Sequence, residues 1–216
     1  MRIAADGFYF LVSGLVLLII LIALRLRFDP VWLSFPIIAD SIYILFVLFF
    51  FRDPDRCTPD NPRGVISPAD GSVIAVDEVI PEYFSEFKYR ISIFLSMLDV
   101  HINRIPIGGR VRRLEYHRGK FLPAFREKAS ELNEHTIITI ESEFGQIGFC
   151  QRAGAIARRI IYNIKKGDTV TAGERFGLIR FGSRVDLYLP ENMKILVRPK
   201  DRVRAGETIL AEFETQ

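Results

Sequence analysis

Chemistry in this chain can reside in only a few places. There are three histidines (His101, His117 and His135), a Ser-Pro-Ala-Asp-Gly run at 67–71, and two Gly-Ser pairs, Gly71-Ser72 and Gly182-Ser183. Imidazole titrates near neutrality, so a histidine is the residue type suited to carrying a proton. Most lone histidines in a β domain are nonetheless surface or hydrogen-bonded core residues. Asp70, in Pro-Ala-Asp-Gly, reads first as a turn former. The surroundings of Gly182-Ser183 are less ordinary, since the pair sits between two strand-like runs, RFGLIRF and RVDLYLP. Glycine allows a backbone that other residues resist, and a serine hydroxyl set against the preceding carbonyl can attack it. That reaction needs a base near the hydroxyl and donors for the oxyanion. The same two residues read equally as a β-bulge or a hairpin turn.

The elements that must position these groups follow from composition. The chain has 216 residues, 49% hydrophobic and 25% charged, with a net charge of +3 from 29 basic and 26 acidic residues. This excludes a disordered tail or a disulfide-stapled miniprotein, and the small excess of positive charge gives no case for a nucleic-acid partner. Cys57 and Cys150 form neither a metal-ligand spacing nor a disulfide framework, which suits a reducing compartment and predicts no metal site. Residues 1–51 carry only six charges. Within them, residues 8–24 have none, and residues 31–51 are interrupted only by Asp40. Both runs approach the roughly 20 apolar residues that span a bilayer. The expectation is a membrane-anchoring helical hairpin over 1–51. Pro36 and the charge at Asp40 argue for a tilted, kinked or re-entrant second run. Arg52, Arg56 and Arg63 after it favour a cell-membrane protein with its remaining domain, 52–216, on the cytoplasmic side.

From Val65 onward, runs of four to eight β-branched and aromatic residues alternate with Gly, Pro and Asp, which predicts strands. The exception is FREKASEL at 125–132, which reads as a helix. Asp-Thr-Val-Thr-Ala-Gly-Glu at 168–174 recurs as Asp-Arg-Val-Arg-Ala-Gly-Glu at 201–207. Two such turn units about a pseudo-twofold predict a mainly β (α+β) fold, a barrel-sandwich-like domain with an internal twofold repeat.

Several separated segments, in order, resemble the phosphatidylserine decarboxylase family, specifically its short membrane-associated class. They are FFFRDPDR after the apolar hairpin, SPADGSV at 67–73, FLSMLDVHINRIP at 94–106, GKFLPAFREKASELNE at 119–134, and FGS at 181–183. The resemblance implies a pyruvoyl enzyme that processes itself. The Ser183 hydroxyl attacks the Gly182 carbonyl, the amide becomes an ester, and β-elimination and hydrolysis leave a pyruvoyl group heading residues 183–216. Residues 1–182 and 183–216 then stay together as a heterodimer, and a higher homo-oligomer is compatible with this. The pyruvoyl ketone forms a Schiff base with phosphatidylserine, drawn from membrane lipid, and CO2 leaves to give phosphatidylethanolamine, without metal or pyridoxal phosphate.

The resemblance also implies His101 as proton carrier and Asp70 as the group that orients it. Where longer relatives carry a second histidine, three positions after the first, this chain has Arg104. That residue is expected to bind substrate phosphate or carboxylate, with Lys120 and Phe121 gripping the lipid. A different class of reading remains: Met193-Lys194 between the repeat copies is similar to biotinyl- and lipoyl-carrier domains, in which Lys194 would bear the cofactor.

Overall fold

The computed structural model describes residues 2–78, 80–119, 133–154, 159–180 and 183–214. The expected helix at 125–132 lies outside the described residues. The chain divides into two compact units, Met1–Asp55 and Arg56–Gln216.

In the first unit, α1 (Ala5–Phe28) and α2 (Ser34–Phe50) pack on each other, and β1 (Arg2–Ile3) pairs antiparallel with β2 (Arg52–Asp53). With the preceding 3-10 turn at Val31–Leu33, both helices are long and apolar enough to cross a membrane. Pro36 does not break α2, because it lies in the first turn, where its missing N–H would have no intrahelical partner. Asp40 is buried rather than turned outward. Gly14 lets the helices approach: a Cβ there would lie 2.9 Å from Ile44 Cγ1.

The second unit is built from antiparallel strands, as the alternation in the sequence predicts. In chain order they are β3 (Gly64–Ile66), β4 (Gly71–Asp77), β5 (Tyr89–Leu95), β6 (Ile102–Arg104), β7 (Gly109–His117), β8 (His135–Glu141), β9 (Gln146–Ala153) and β10 (Ile160–Tyr162). There follow β11 (Thr169–Val170), β12 (Arg175–Ile179), β13 (Ser183–Leu189), β14 (Met193–Ile195), β15 (Arg202–Val203) and β16 (Ile209–Phe213). Eight form one sheet, ordered β11-β7-β8-β9-β13-β5-β4-β15, and two smaller sheets are ordered β10-β12-β6 and β14-β16-β3. Among the described residues no sheet closes into a barrel.

The large sheet is palindromic about the β9–β13 pair, so the repeat seen at 168–174 and 201–207 is part of a larger duplication. Reading outward, β8 answers β5, β7 answers β4, and β11 answers β15. The two halves exchange reciprocal bonds at the axis, Ile66 N–H to the Pro106 carbonyl (2.9 Å) and Arg104 N–H to the Pro68 carbonyl (3.0 Å). Register shifts occur at matching places, Val73/Ala75 and Val111/Arg113. The turn glycines of the two copies, Gly173 and Gly206, have left-handed φ of +80° and +78°.

Along β13 the side chains alternate. Val185, Leu187 and Leu189 join Ile91, Ile93, Ile138, Ile140, Ile147, Phe149, Phe176 and Leu210 in one core that draws on all three sheets. Each fully buried aliphatic or aromatic side chain of this kind stabilises the fold by about 1.5–3 kcal/mol. The other face of the sheet carries a smaller apolar cluster, including Phe84, Phe87, Ile137, Cys150 and Tyr188.

Gly71 and Gly109 hold equivalent places in the two halves, where a Cβ would lie 2.2 Å from the carbonyl oxygens of Phe94 and Glu141 respectively. Backbone, unlike a flexible side chain, cannot swing aside. Gly109→Ala is therefore expected to destabilise the protein by about 3 kcal/mol, read as a lower denaturant midpoint. A variant as stable as the parent would contradict the proposed close approach of β7 and β8.

Candidate active site

Ser183 opens β13, the strand with neighbours on both sides in the middle of the large sheet. It pairs with Leu95 of β5 and with Ala153 of β9. Its side chain alternates with the outward Arg184 and so shares the core face with Val185. The residue is fully buried, and its Oγ has no hydrogen-bond partner among the described residues. Neither a surface turn nor a bulge describes it. Gly182 lies outside the described residues.

The loop leaving Leu95 leads to His101, so the segment opposite Ser183 carries the histidine. β6 begins at the next residue and pairs through Ile102 with Leu178, just upstream of Ser183. Pairing thus brings both ends of the 96–101 loop against the chain that flanks Ser183. The loop is built around Asp99. Its Oδ2 accepts the N–H (2.8 Å) and hydroxyl (2.7 Å) of Ser96, and its Oδ1 accepts from Arg202. Burial disfavours the carboxylate, but the Arg202 and Ser96 hydrogen bonds outweigh it, so the Asp99 pKa lies below the ordinary value. The Asp99 carbonyl sits 2.9 Å from His101 Nδ1, on a ring only 2% exposed. A carbonyl can only accept, so Nδ1 carries the hydrogen and the neutral ring keeps its basic lone pair on Nε2.

Asp70 precedes β4, whose Ser72 pairs with Phe94 beside Leu95. Its carboxylate accepts from Arg56 Nη2 (2.7 Å) and from the Ala205 N–H (2.7 Å). Burial raises its pKa, with the Ala205 N–H and Arg56 opposing, and Asp99 is close enough to add to the rise. Arg56 also reaches Glu207 (3.2 Å). Asp70 and Arg56 consequently hold the second copy of the repeat turn, to which Ala205 and Glu207 belong. Arg104 is buried and donates to the Gly173 carbonyl (2.9 Å), and a Cβ on Gly206 would fall 2.7 Å from its Cδ. It therefore lies between the two repeat turns. Lys120 and Phe121 lie outside the described residues.

On the opposite face of β13, Arg184 and Arg152 both donate to Asp186 Oδ2 (2.8 and 2.6 Å). Burial opposes ionisation of Asp186, but the two guanidinium groups hold its pKa below the ordinary value. Cys150 is buried there and its thiol is pushed up to about 11, which leaves it protonated and inert. His117 and His135, to which no role is assigned, face each other at the strand ends and stack at 4.9 Å.

Three sets of side chains escaped the sequence reading: Asp99, Arg56, and a buried chain formed by Asn103, Gln151 and Thr136. The last left a trace, because Gln151 and Thr136 occupy inward positions of otherwise apolar strands. The carrier reading is corrected. Lys194 lies within β14 opposite Glu212, not at a turn tip between the halves where an attachment lysine must project.

Comparison with known proteins identifies related sequences. The family profile described as phosphatidylserine decarboxylase matches residues 43–211. The chain is 44% identical over 185 residues to the phosphatidylserine decarboxylase proenzyme of Pelodictyon phaeoclathratiforme, covering 85% of this chain and 87% of that one. The protein of the same name from Desulfotalea psychrophila is 47% identical over 170 residues, 78% of this chain and 79% of its own. That from Chlorobium limicola is 44% identical, with 79% and 80% covered. With more than half its length matched, and a buried serine where strand pairing brings the histidine loop close, the chain belongs to the phosphatidylserine decarboxylase family of carboxy-lyases.

Proposed function

We propose that the chain is the precursor of a pyruvoyl-dependent phosphatidylserine decarboxylase, cut by its own Ser183. The observation that carries this reading is the Ser183 hydroxyl itself, fully buried and without a partner among the described residues. A hydroxyl so placed costs about 1–3 kcal/mol. A serine there is poor for packing and suited to attack on the adjoining carbonyl. In the proposed step, Ser183 Oγ bonds to the carbonyl carbon of residue 182 and the C–N bond breaks, giving an ester and a free amine. Elimination frees the carboxylate of residue 182 and leaves dehydroalanine. Water then releases ammonia and leaves the pyruvoyl group. That group supplies a ketone able to take the amino group of a serine phospholipid and draw off the electron pair left by CO2.

The remaining residues position and protonate. His101 Nε2 exchanges the proton, and the Asp99 carbonyl fixes the ring's tautomer and orientation. Asp70 acts on the site by tying down the 201–207 turn through Ala205. After cleavage, residues 183–216 stay in place because β13 lies between β5 and β9, β15 beside β4, and β16 beside β3. In the loop between Leu95 and His101, Met97 and Leu98 are 39% and 71% exposed, an apolar tip suited to lipid contact. Lys120 and Phe121 are proposed to grip the lipid as well. The two apolar helices fit membrane association, and the arginines after α2 support a cytoplasmic side for the catalytic unit.

Ser183→Ala is expected to remain a single chain on a denaturing gel and to release no CO2 from phosphatidylserine vesicles. An uncut variant with full activity would refute the proposal. His101→Gln is expected to lower CO2 release by roughly 100-fold or more, and unchanged turnover together with unchanged cleavage would remove His101 from the site. Leu98→Ser should weaken turnover on vesicles more than on a short-chain, monomeric phosphatidylserine; equal effects on both would exclude lipid contact by the loop tip.

A further inference from the structure

A polar chain runs through the core one residue row away from Ser183. The Gln151 N–H donates to Thr136 Oγ1 (3.2 Å), and the Thr136 hydroxyl donates to Gln151 Oε1 (3.2 Å). Gln151 Nε2 in turn donates to Asn103 Oδ1 (2.8 Å). All three residues are fully buried. The bonds of this chain run in one direction. Thr136 Oγ1 accepts from a backbone N–H and donates its own hydrogen to Gln151 Oε1. Gln151 then presents its amino group to Asn103, which accepts through oxygen. Its far end is therefore an NH2 group, and among the described residues Asn103 Nδ2 has no acceptor.

Its place in the fold is next to the scissile serine. Gln151 pairs with Val185 and Ala153 pairs with Ser183, so Gln151 and Ser183 are diagonal neighbours on the core face, at about 7–8 Å. Asn103 reaches Gln151 from β6, two residues after His101, where it pairs with Gly177 of the strand that leads into Ser183. Two buried polar atoms with no partner among the described residues, a hydroxyl and an amide donor, thus sit in one small region of an apolar core.

We infer that Asn103 is the donor that holds the oxyanion during self-processing, with Gln151 and Thr136 as positioning residues that keep its NH2 turned inward. This rests on the reading of Ser183 above. In the inferred step Ser183 Oγ bonds to the preceding carbonyl carbon, the carbonyl π pair moves onto oxygen, and Asn103 Nδ2–H donates to that oxygen. The serine proton goes to His101. Collapse breaks the C–N bond, and the nitrogen takes the proton back. A preorganised donor is most effective in such a buried site, where little must reorganise as charge develops.

The test is the rate at which freshly made full-length chain converts to two fragments, followed on denaturing gels. Asn103→Leu, nearly the same shape, is expected to slow processing by roughly 100-fold or more. Thr136→Val, which frees the amides to flip, should slow it by roughly tenfold. Hydroxylamine, which cleaves the ester, is expected not to restore the Asn103→Leu rate, because the defect precedes the ester. Processing of Asn103→Leu at the parental rate, or full rescue by hydroxylamine, would overturn the inference. Should Asn103→Leu fail to fold by circular dichroism, a folded Thr136→Val with undiminished processing would overturn it equally. A parent that never cleaves would instead sink the reading of Ser183, so the two failures are distinguishable.

Discussion

The arrangement depends on one constraint: the backbone of β13 is hydrogen-bonded on both sides, from its first residue, by strands that lie on the far side of the proposed cut. Ser183 meets Leu95 and Ala153, and the register then runs unbroken to Tyr188 on β9 and to Leu189 on β5. A strand held this way cannot drift when the bond before it breaks. The newly exposed chain end would stay buried beside the histidine loop. A segment of 183–216 is too short to hold a fold by itself, yet here it supplies a central strand, β15 at the edge of the large sheet, and two of the three strands of a small sheet.

The duplication accounts for one proposed cut and not two. In one half, β8 and β9 form an ordinary hairpin, Glu141 paired with Gln146 and a turn between them closed by Ser142 and Gly145. Their counterparts β5 and β13 make the same kind of pairing, Phe94 with Arg184, but no turn joins them. The chain leaves β5 through the Asp99 loop and His101, and enters β13 much later in sequence. Where the symmetric half has a hairpin turn, this half has two chain segments meeting end to end. That break in symmetry is what sets a histidine loop, in place of a turn, opposite Ser183.

Much of this was legible in the sequence, for physical reasons. Alternating β-branched residues mark the strands because one face of each is buried, and SVIAVD, RISIFL and VDLYL all appear as β4, β5 and β13. ILVRP yields only the short β14, since Pro199 cannot donate to a ladder and Lys200 turns at a φ of +82°. The repeat was visible only where its turns demand particular residues, Ala-Gly-Glu in both copies. Its other half is held by backbone bonds at Pro68 and Pro106 and by two close-packed glycines, so almost nothing of it shows in side chains. Long-range pairing hid the rest. Nothing near Asp99 in sequence announces Arg202, and nothing near Asp70 announces Ala205. The resemblance that led to His101 and Asp70 carried no information about the atoms that would hold them, which proved to be a backbone carbonyl for one and an arginine with a backbone N–H for the other.

The central claim, that the head of β13 becomes a carbonyl, is tested most directly by the mass of the purified protein under denaturing conditions, before and after borohydride. The account predicts two species, residues 1–182 and a fragment of 183–216 whose first residue lacks an amine, with only the smaller gaining two hydrogens on reduction. A single species of full-length mass, unchanged by borohydride, would contradict it.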